Sequence, residues 1–542
     1  MSDELKHECA VAMVVMRRPP SPAGGDFGGT KLSLLLEKQH NRGQDGAGAA
    51  ILSATPEPGT SPCWIAKSAS ATPLTDVLGG IGKRAQAANE RIFLGHLRYA
   101  TFGRNDTAFC HPFMHEASEL EHTLLLAGNF NLTNAHELFD DYANHGSFPT
   151  SKADGYLICE LIAHELCGGK SLANALSKAL ANADGAWTIC GATGDGRAFA
   201  TRDPHGIRPG WYYVSDEVVA VASERPAIQA AFDVPPEAVK ELPPGKALVV
   251  SPAGEVQMAE LDSAINVAPR PCVFERIYFS RANDADIHRE RKALGAALVP
   301  QILAAADAPL EDIFFSYIPN SARIAFHGLL ERIFDERGKV RFGEIAVKDA
   351  KFRTFIADAA ARREFYKHVY DVTYGLVRPG KDTLVVLDDS IVRGNTMKNA
   401  ILPMLDRLGP KRIVIASSAP PIRYPDCYGI DMSTLGELVA FKALVNLLGG
   451  DAEKELQAHP LAEIYARFTD EQHCSEIARL LTPPGMKAEV KVVYQSIDAL
   501  HAACPGSSGD WYFTGGYPTP GGYKVLSRAL ENYLNHKNER SY

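Results

Sequence analysis

"TLVVLDDSIVRGNTMKNAILPMLDRLG", residues 383–409, decides how the C-terminal half folds. An apolar run ends in two carboxylates, Asp388 and Asp389, and a loop of small and polar residues follows. Met397, Ile401, Met404, Leu405 and Leu408 then fall on one helical face that stops at Gly409, with Pro403 inside the helix. A returning apolar run, "RIVIASS" (412–418), completes a strand–helix–strand unit, which requires parallel strands. Ligands of open parallel sheets gather outside the carboxyl ends of the strands. Backbone N–H groups of loop 390–396 make an anion site there, and the Ser390 and Thr396 hydroxyls can add donors. The acid pair suits ribose hydroxyls or a hydrated Mg²⁺. Two acids that merely cap a helix are the structural alternative. The order of strand, paired acids, small-residue loop and helix favours a phosphate site.

Composition bounds what surrounds this unit. At 542 residues the chain exceeds one ordinary core and implies several domains. Net charge is −9 with no basic block, which weighs against a nucleic-acid surface while leaving room for a local phosphate pocket. The first eight residues are charged, and no apolar stretch reaches the ~18 residues of a membrane span. The expectation is a cytoplasmic protein with neither secretory signal nor membrane anchor. Ten cysteines without any C-x-x-C read as reduced thiols rather than a zinc knuckle.

Upstream, residues 92–250 hold short apolar runs bounded by Gly, Asn and Asp, among them "IFLGHLRYATFG", "TLLLAGNFNLTN" and "EVVAVAS". They predict a strand-rich, mixed α/β domain, interrupted by the helix "YLICELIAHEL". Residues 17–30 and 53–62 read as loops, and 251–271 as a domain boundary. Two phosphate-loop decoys fall away. "CGGKS" (167–171) lacks the first glycine of a Walker loop, and "GGIGKRA" (79–85) has no strand before it.

"KHECAVAMVVM" (6–16) leaves a question open. Cys9 heads an apolar run and is either a small buried hydrophobe or a nucleophile; free cysteine is among the most buried residue types.

Segment 385–396 resembles the PRPP (phosphoribosylpyrophosphate) motif of type I phosphoribosyltransferases. "RDPHGIRPG", "ERIYFSR", "RERKALG", "KFRTFI" and "PPIRYPDCYGIDM" follow the order of the glutamine PRPP amidotransferase family. The resemblance spans residues 6 to 530. It implies removal of residues 1–8, an N-terminal-nucleophile glutaminase domain of four αββα layers over 9–262, and a type I phosphoribosyltransferase domain with a parallel sheet over 263–470. Residues 471–542 would be an extension packed on the latter. The implied reaction takes ammonia from glutamine and transfers it to C1 of PRPP, in purine synthesis.

The resemblance also implies site roles. Cys9 would be the nucleophile, with its freed α-amino group as base. Asn129 would be the oxyanion donor and Phe130 part of the glutamine site, in "AGNFNLTN" against the family's H-N-G-N-L-T-N. Arg98 would clamp the substrate carboxylate and Asp154 its ammonium. PRPP would meet Asp388, Asp389, Ser390, Ile391, Val392, Arg393, Gly394, Asn395 and Thr396, with Lys351 and Arg353 on a closing loop. Mg²⁺ would sit at Ser321, Asp388 and Asp389. Four departures stand out: Ala10 for Gly, Gly128 for His, Phe130 for Gly, and Asn320 for an acid. No iron–sulfur cluster is expected, because Cys427 is displaced by one position and Gly509 and Tyr512 replace the paired cysteines. Purine nucleotides as feedback inhibitors and a homo-oligomer are implied, with no nucleic-acid or membrane partner. The competing readings are a hexosamine-phosphate synthase, a PRPP-sensing regulator, and an ammonia-only transferase with a decayed glutaminase half.

Overall fold

The computed structural model describes residues 9–18, 26–53, 63–84, 90–99, 106–144, 150–151, 153–262, 267–348, 370–537 and 539–541. Two antiparallel sheets fill the N-terminal half. The first has the order β11–β9–β10–β1–β4–β2–β3, built from β1 (Ala10–Met16), β2 (Gly46–Ser53), β3 (Cys63–Ser68), β4 (Glu90–Arg98), β9 (Trp211–Val214), β10 (Val218–Ala222) and β11 (Lys240–Glu241). The second has the order β13–β12–β8–β7–β6–β5, built from β5 (Phe113–His115), β6 (Leu124–Leu132), β7 (Gly185–Thr193), β8 (Ala198–Arg202), β12 (Lys246–Val250) and β13 (Val256–Glu260).

Strand alternation sorts the side chains into four layers. Val11, Met13 and Val15 of β1 meet Leu125 and Ala127 of β6 between the sheets. Ala10, Ala12 and Val14 face outward onto the helices Phe27–Lys38 and Pro73–Arg84. The outer face of the second sheet is covered by Asp154–Cys167 and Leu172–Ala179. This is the expected αββα arrangement. β13 was not legible, because "VQMAE" is an edge strand with largely exposed residues inside the stretch read as a boundary. Both decoys are helical punctuation: Ser171 caps a helix, and 79–84 end one.

The C-terminal half is a parallel sheet of order β15–β14–β18–β19–β20: β14 (Ile313–Tyr317), β15 (Arg341–Phe342), β18 (Thr383–Asp388), β19 (Arg412–Ser417) and β20 (Glu489–Tyr494). A separate ribbon pairs β16 (Ala346–Lys348) with β17 (Tyr370–Val372). β20 lies within 471–542, so that segment supplies an edge strand of the sheet and is more than a packed extension. Between β18 and β19 the helix starts as a wide turn, Met397–Ile401, before Leu402–Asp406. Pro403 has no N–H for the Asn399 carbonyl, which accounts for the wider winding just upstream. Gly409 ends the unit at φ +69°.

The halves share buried polar contacts. Arg42 donates to Glu224 at 2.7 Å and to Glu275 at 2.6 Å. Asn131 Nδ2 donates to the Cys427 carbonyl at 2.6 Å, and the Gly521 N–H to Asp184 at 2.8 Å. No helix among the described residues is long and apolar enough to cross a membrane.

Candidate active site

Cys9 sits one residue ahead of β1, in phase with Val11 and Val15, at the open end of the layer between the sheets. Its Sγ receives the Tyr99 N–H at 3.3 Å and lies 3.7 Å from the Tyr99 carbonyl. Arg98 shares the inter-sheet face of β4 with Ile92 and Leu94, and Asn129 shares that of β6 with Leu125 and Ala127. Alternation therefore brings the three predicted residues to one layer. Burial pushes the Cys9 thiol up to about 11, with Arg98 pulling it down and Asp154 and Asp45 pushing it up. At neutral pH such a thiol is protonated, so it needs a base to act. Residues 1–8 lie outside the described residues.

Asn129 Nδ2 is buried and donates to no protein atom among the described residues. Leaving a buried donor unpaired costs about 1–3 kcal/mol, so a structure that tolerates one is set up for a ligand acceptor. The backbone beside it is equally directed. The Thr133 N–H donates to the Asp184 carbonyl, which sets the β6–β7 hydrogen-bonding pairs at odd positions of β6. The N–H groups of Gly128, Phe130 and Leu132 therefore point to the opposite edge, which β5 covers only as far as Leu126. His111 takes the Gly128 N–H and Asp154 takes that of Leu132. The Phe130 N–H lies between them, so replacing Gly by Phe leaves the backbone donor in place.

The other departures have local reasons. The Ala10 methyl points into the helix-side core, away from the layer that holds the Cys9 thiol. A Cβ on Gly128 would stand 2.7 Å from the Phe130 ring, so a small residue at 128 accompanies a large one at 130. Asp154 opens its helix and accepts from the Gly155 N–H at 2.9 Å. Burial outweighs these hydrogen bonds and the pull of Arg98, raising its carboxyl to about 6.

In the transferase half the acid pair ends β18, the central strand. Asp389 accepts from the hydroxyls of Ser321 and Ser390, and its N–H donates to Asp388 at 2.9 Å. Burial raises both carboxyls, and Asp389 further raises Asp388; Arg291 partly offsets this at Asp389. A buried acid pair with so little compensating charge fits a divalent cation, with Ser321 beside it as an oxygen donor. Ile391 and Val392 are anchored in the core and offer the loop their backbone. Gly394 has φ +78°, and a Cβ there would meet Leu481 at 2.3 Å. The Arg393 guanidinium turns away to Glu437 at 2.7 Å and the Asp431 carbonyl at 2.8 Å. Asn395 is exposed and Thr396 half-buried. Lys351 and Arg353 fall outside the described residues.

Tyr99 links the two sites. Its backbone grips Cys9, while its buried side chain feels Asp431, Arg540 and Arg393 of the transferase half. Sequence reasoning passed over Tyr99 and His111. The first stood beside Arg98 in "GHLRYATFG", and the second had no periodic or motif signal.

A nucleophile sandwich joined to a phosphate-loop parallel sheet defines a glutamine-dependent phosphoribosyl-transfer enzyme with two half-sites. Residues 110–230 match the model of a glutamine amidotransferase domain. The chain is 30% identical over 401 residues to the amidophosphoribosyltransferase of Bacillus subtilis (strain 168), covering 72% of this chain and 79% of the relative. Against that of Escherichia coli (strain K12) it is 29% identical over 429 residues, covering 75% and 79%. A solved structure of glutamine PRPP amidotransferase from B. subtilis, complexed with ADP and GMP, superposes with a TM-score of 0.69 at 25% identity. That match covers 94% of this chain and 97% of the other. The chain belongs to the amidophosphoribosyltransferase family.

Proposed function

We propose that the chain hydrolyses glutamine at Cys9 and passes the ammonia to C1 of PRPP, releasing pyrophosphate and forming 5-phosphoribosylamine. The observation that carries the glutaminase half is Asn129 Nδ2, which has no hydrogen-bond partner among the described residues, in the layer that also holds Cys9 and Arg98. Once residues 1–8 are removed, the Cys9 α-amino group, with a pKa near ~8, takes the thiol proton. Sγ attacks the side-chain amide carbon, and the oxyanion meets Asn129 Nδ2 and the Phe130 N–H. The α-ammonium returns its proton to the leaving nitrogen, ammonia departs, and water then releases glutamate from the thioester. Arg98 binds the substrate α-carboxylate as a planar fork of donors, and Asp154 its ammonium.

In the other half, loop 390–396 holds the 5′-phosphate through backbone N–H groups and the Ser390 and Thr396 hydroxyls. Asp388, Asp389 and Ser321 would hold Mg²⁺, which when bound neutralises charge on the departing pyrophosphate. Lys351 and Arg353 would close over it. The residues do not fit an iron–sulfur cluster. Cys272 Sγ lies 3.4 Å from the Tyr512 hydroxyl, which accepts the Phe274 N–H at 2.7 Å and donates to the Gly509 carbonyl at 3.0 Å. That hydroxyl is fully engaged where a cluster would need thiolates. Feedback by purine nucleotides, a homo-oligomer and a cytoplasmic location complete the proposal; the ADP and GMP of the B. subtilis complex support the first.

The test is pyrophosphate release from PRPP and Mg²⁺, with glutamine in one reaction and ammonium at alkaline pH in the other. Release in both is expected. Release with ammonium alone would mean an unprocessed or decayed glutaminase half, and release in neither would refute the reading.

Asp154 gives a pH signature. Its carboxylate exists above about pH 6 and is lost below it, while the substrate ammonium stays charged throughout. The KM for glutamine should therefore rise as pH falls through 6, roughly tenfold per unit below it. Ammonium-dependent turnover, corrected for free ammonia, should lack that limb. A flat glutamine KM between pH 7 and 5 would remove Asp154 from substrate binding.

A further inference from the structure

His111 precedes β5 and has no role in either half-reaction described above, yet it touches the three elements that present Arg98, Asn129 and Asp154. Its Nδ1 accepts the Gly128 N–H at 3.2 Å, which puts the proton of the neutral ring on Nε2. Its ring stacks on His96 at 4.1 Å and 14°, two residues before Arg98 on the same face of β4. On the other side it meets Phe113 at 4.7 Å and Phe130 at 5.3 Å. The helix that begins with Asp154 seats against the same rings. A Cβ on Gly155 would approach the Phe130 ring to 2.6 Å and His111 Cε1 to 2.9 Å.

We infer that His111 is a positioning residue of the glutaminase half. By accepting the Gly128 N–H it fixes the uncovered edge of β6, on which Asn129 Nδ2 and the Phe130 N–H form the oxyanion pocket. The inference rests on the glutaminase reading given above. Beyond Leu126, β6 has lost β5 as a neighbour, so no strand among the described residues holds this edge. The imidazole replaces the missing strand carbonyl as acceptor for the first exposed N–H, and the Asp154 carboxylate does so for the last. The pocket lies between these two fixed points. Burial, together with the positive charges of Lys67 and Arg98 and the facing His96, disfavours protonation of His111 and keeps Nδ1 an acceptor.

The experiment compares His111→Leu, which loses the acceptor, with His111→Gln, whose amide oxygen can take the same N–H. His111→Phe serves as a second acceptor-free variant should the Leu form not fold. For the acceptor-free variant, kcat with glutamine should fall about tenfold or more, with KM changed less than threefold, because the pocket acts on the transition state. His111→Gln should recover most of that loss. Labelling of Cys9 by a diazo-ketone analogue of glutamine should slow in parallel, whereas alkylation by iodoacetamide, which develops no oxyanion, should not. Equal loss in the Gln and acceptor-free variants, or an unchanged kcat in the latter, would overturn the inference. If the wild-type chain consumes no glutamine, the functional reading fails first. Amide exchange at Gly128 then decides the positioning role: faster exchange without the acceptor and recovery with Gln support it, and equal exchange in all forms refutes it.

Discussion

Cys9→Ala should abolish glutamine-dependent pyrophosphate release, by at least about a thousandfold, while ammonium-dependent release persists. The first half of this expectation follows from the thiol being the only proposed nucleophile in the site. The second follows from the two chemistries standing on separate sheets: Cys9 heads a strand of the first sheet, while the phosphate loop follows β18 of the parallel sheet. Removing one sulfur at the mouth of the inter-sheet layer leaves the buried Val11, Met13 and Val15 in place, so folding should be unaffected. Steady-state kinetics with each nitrogen donor, on protein whose N-terminus has been checked by mass spectrometry, measures it. A variant that uses glutamine as well as wild type would make Cys9 the small core hydrophobe that its sequence context equally allowed.

Asp388→Asn should lower both activities, by roughly a hundredfold, because both pass through the same ribosyl carbon. It should not lower the melting temperature. Burial and the neighbouring Asp389 already raise the Asp388 carboxyl, so a neutral amide of the same shape relieves repulsion and still accepts the Asp389 N–H through its oxygen. Loss of activity with stability kept or gained would mark the acid as functional. Loss of both would make it a structural cap. Activity near wild type would move the cation and ribose elsewhere.

Which parts of this molecule could be read in advance follows from the range of the forces involved. The unit 383–418 was legible because an apolar strand, paired acids and a one-faced helix are local patterns, and β18 and β19 pair as that pattern requires. Cys9, Arg98, Asn129 and Asp154 came only from the family resemblance, since nothing local distinguishes a buried nucleophile from a buried hydrophobe. Strand alternation then explains how three of them meet. The β20 pairing escaped because its partner, β19, lies about seventy residues upstream, and register over that gap is tertiary. His111 escaped for a related reason: its partner Gly128 is a backbone N–H, which no side-chain pattern announces. The Arg393 guanidinium, expected at the phosphate, is held instead by Glu437 and Asp431, two acids contributed by a later segment.

Arg42 carries a consequence for how such a molecule can change over generations. Its guanidinium is wholly enclosed, with Glu224 from one half and Glu275 from the other as counter-charges. Cutting the gene between the halves would take Glu275 from that cation and open the enclosed junction to water, leaving each half with a face shaped for the other. Each half taken alone would therefore carry charges whose partners lie on the other. Either half expressed alone should be less stable than in the joined chain until its side of the junction is rewritten for solvent.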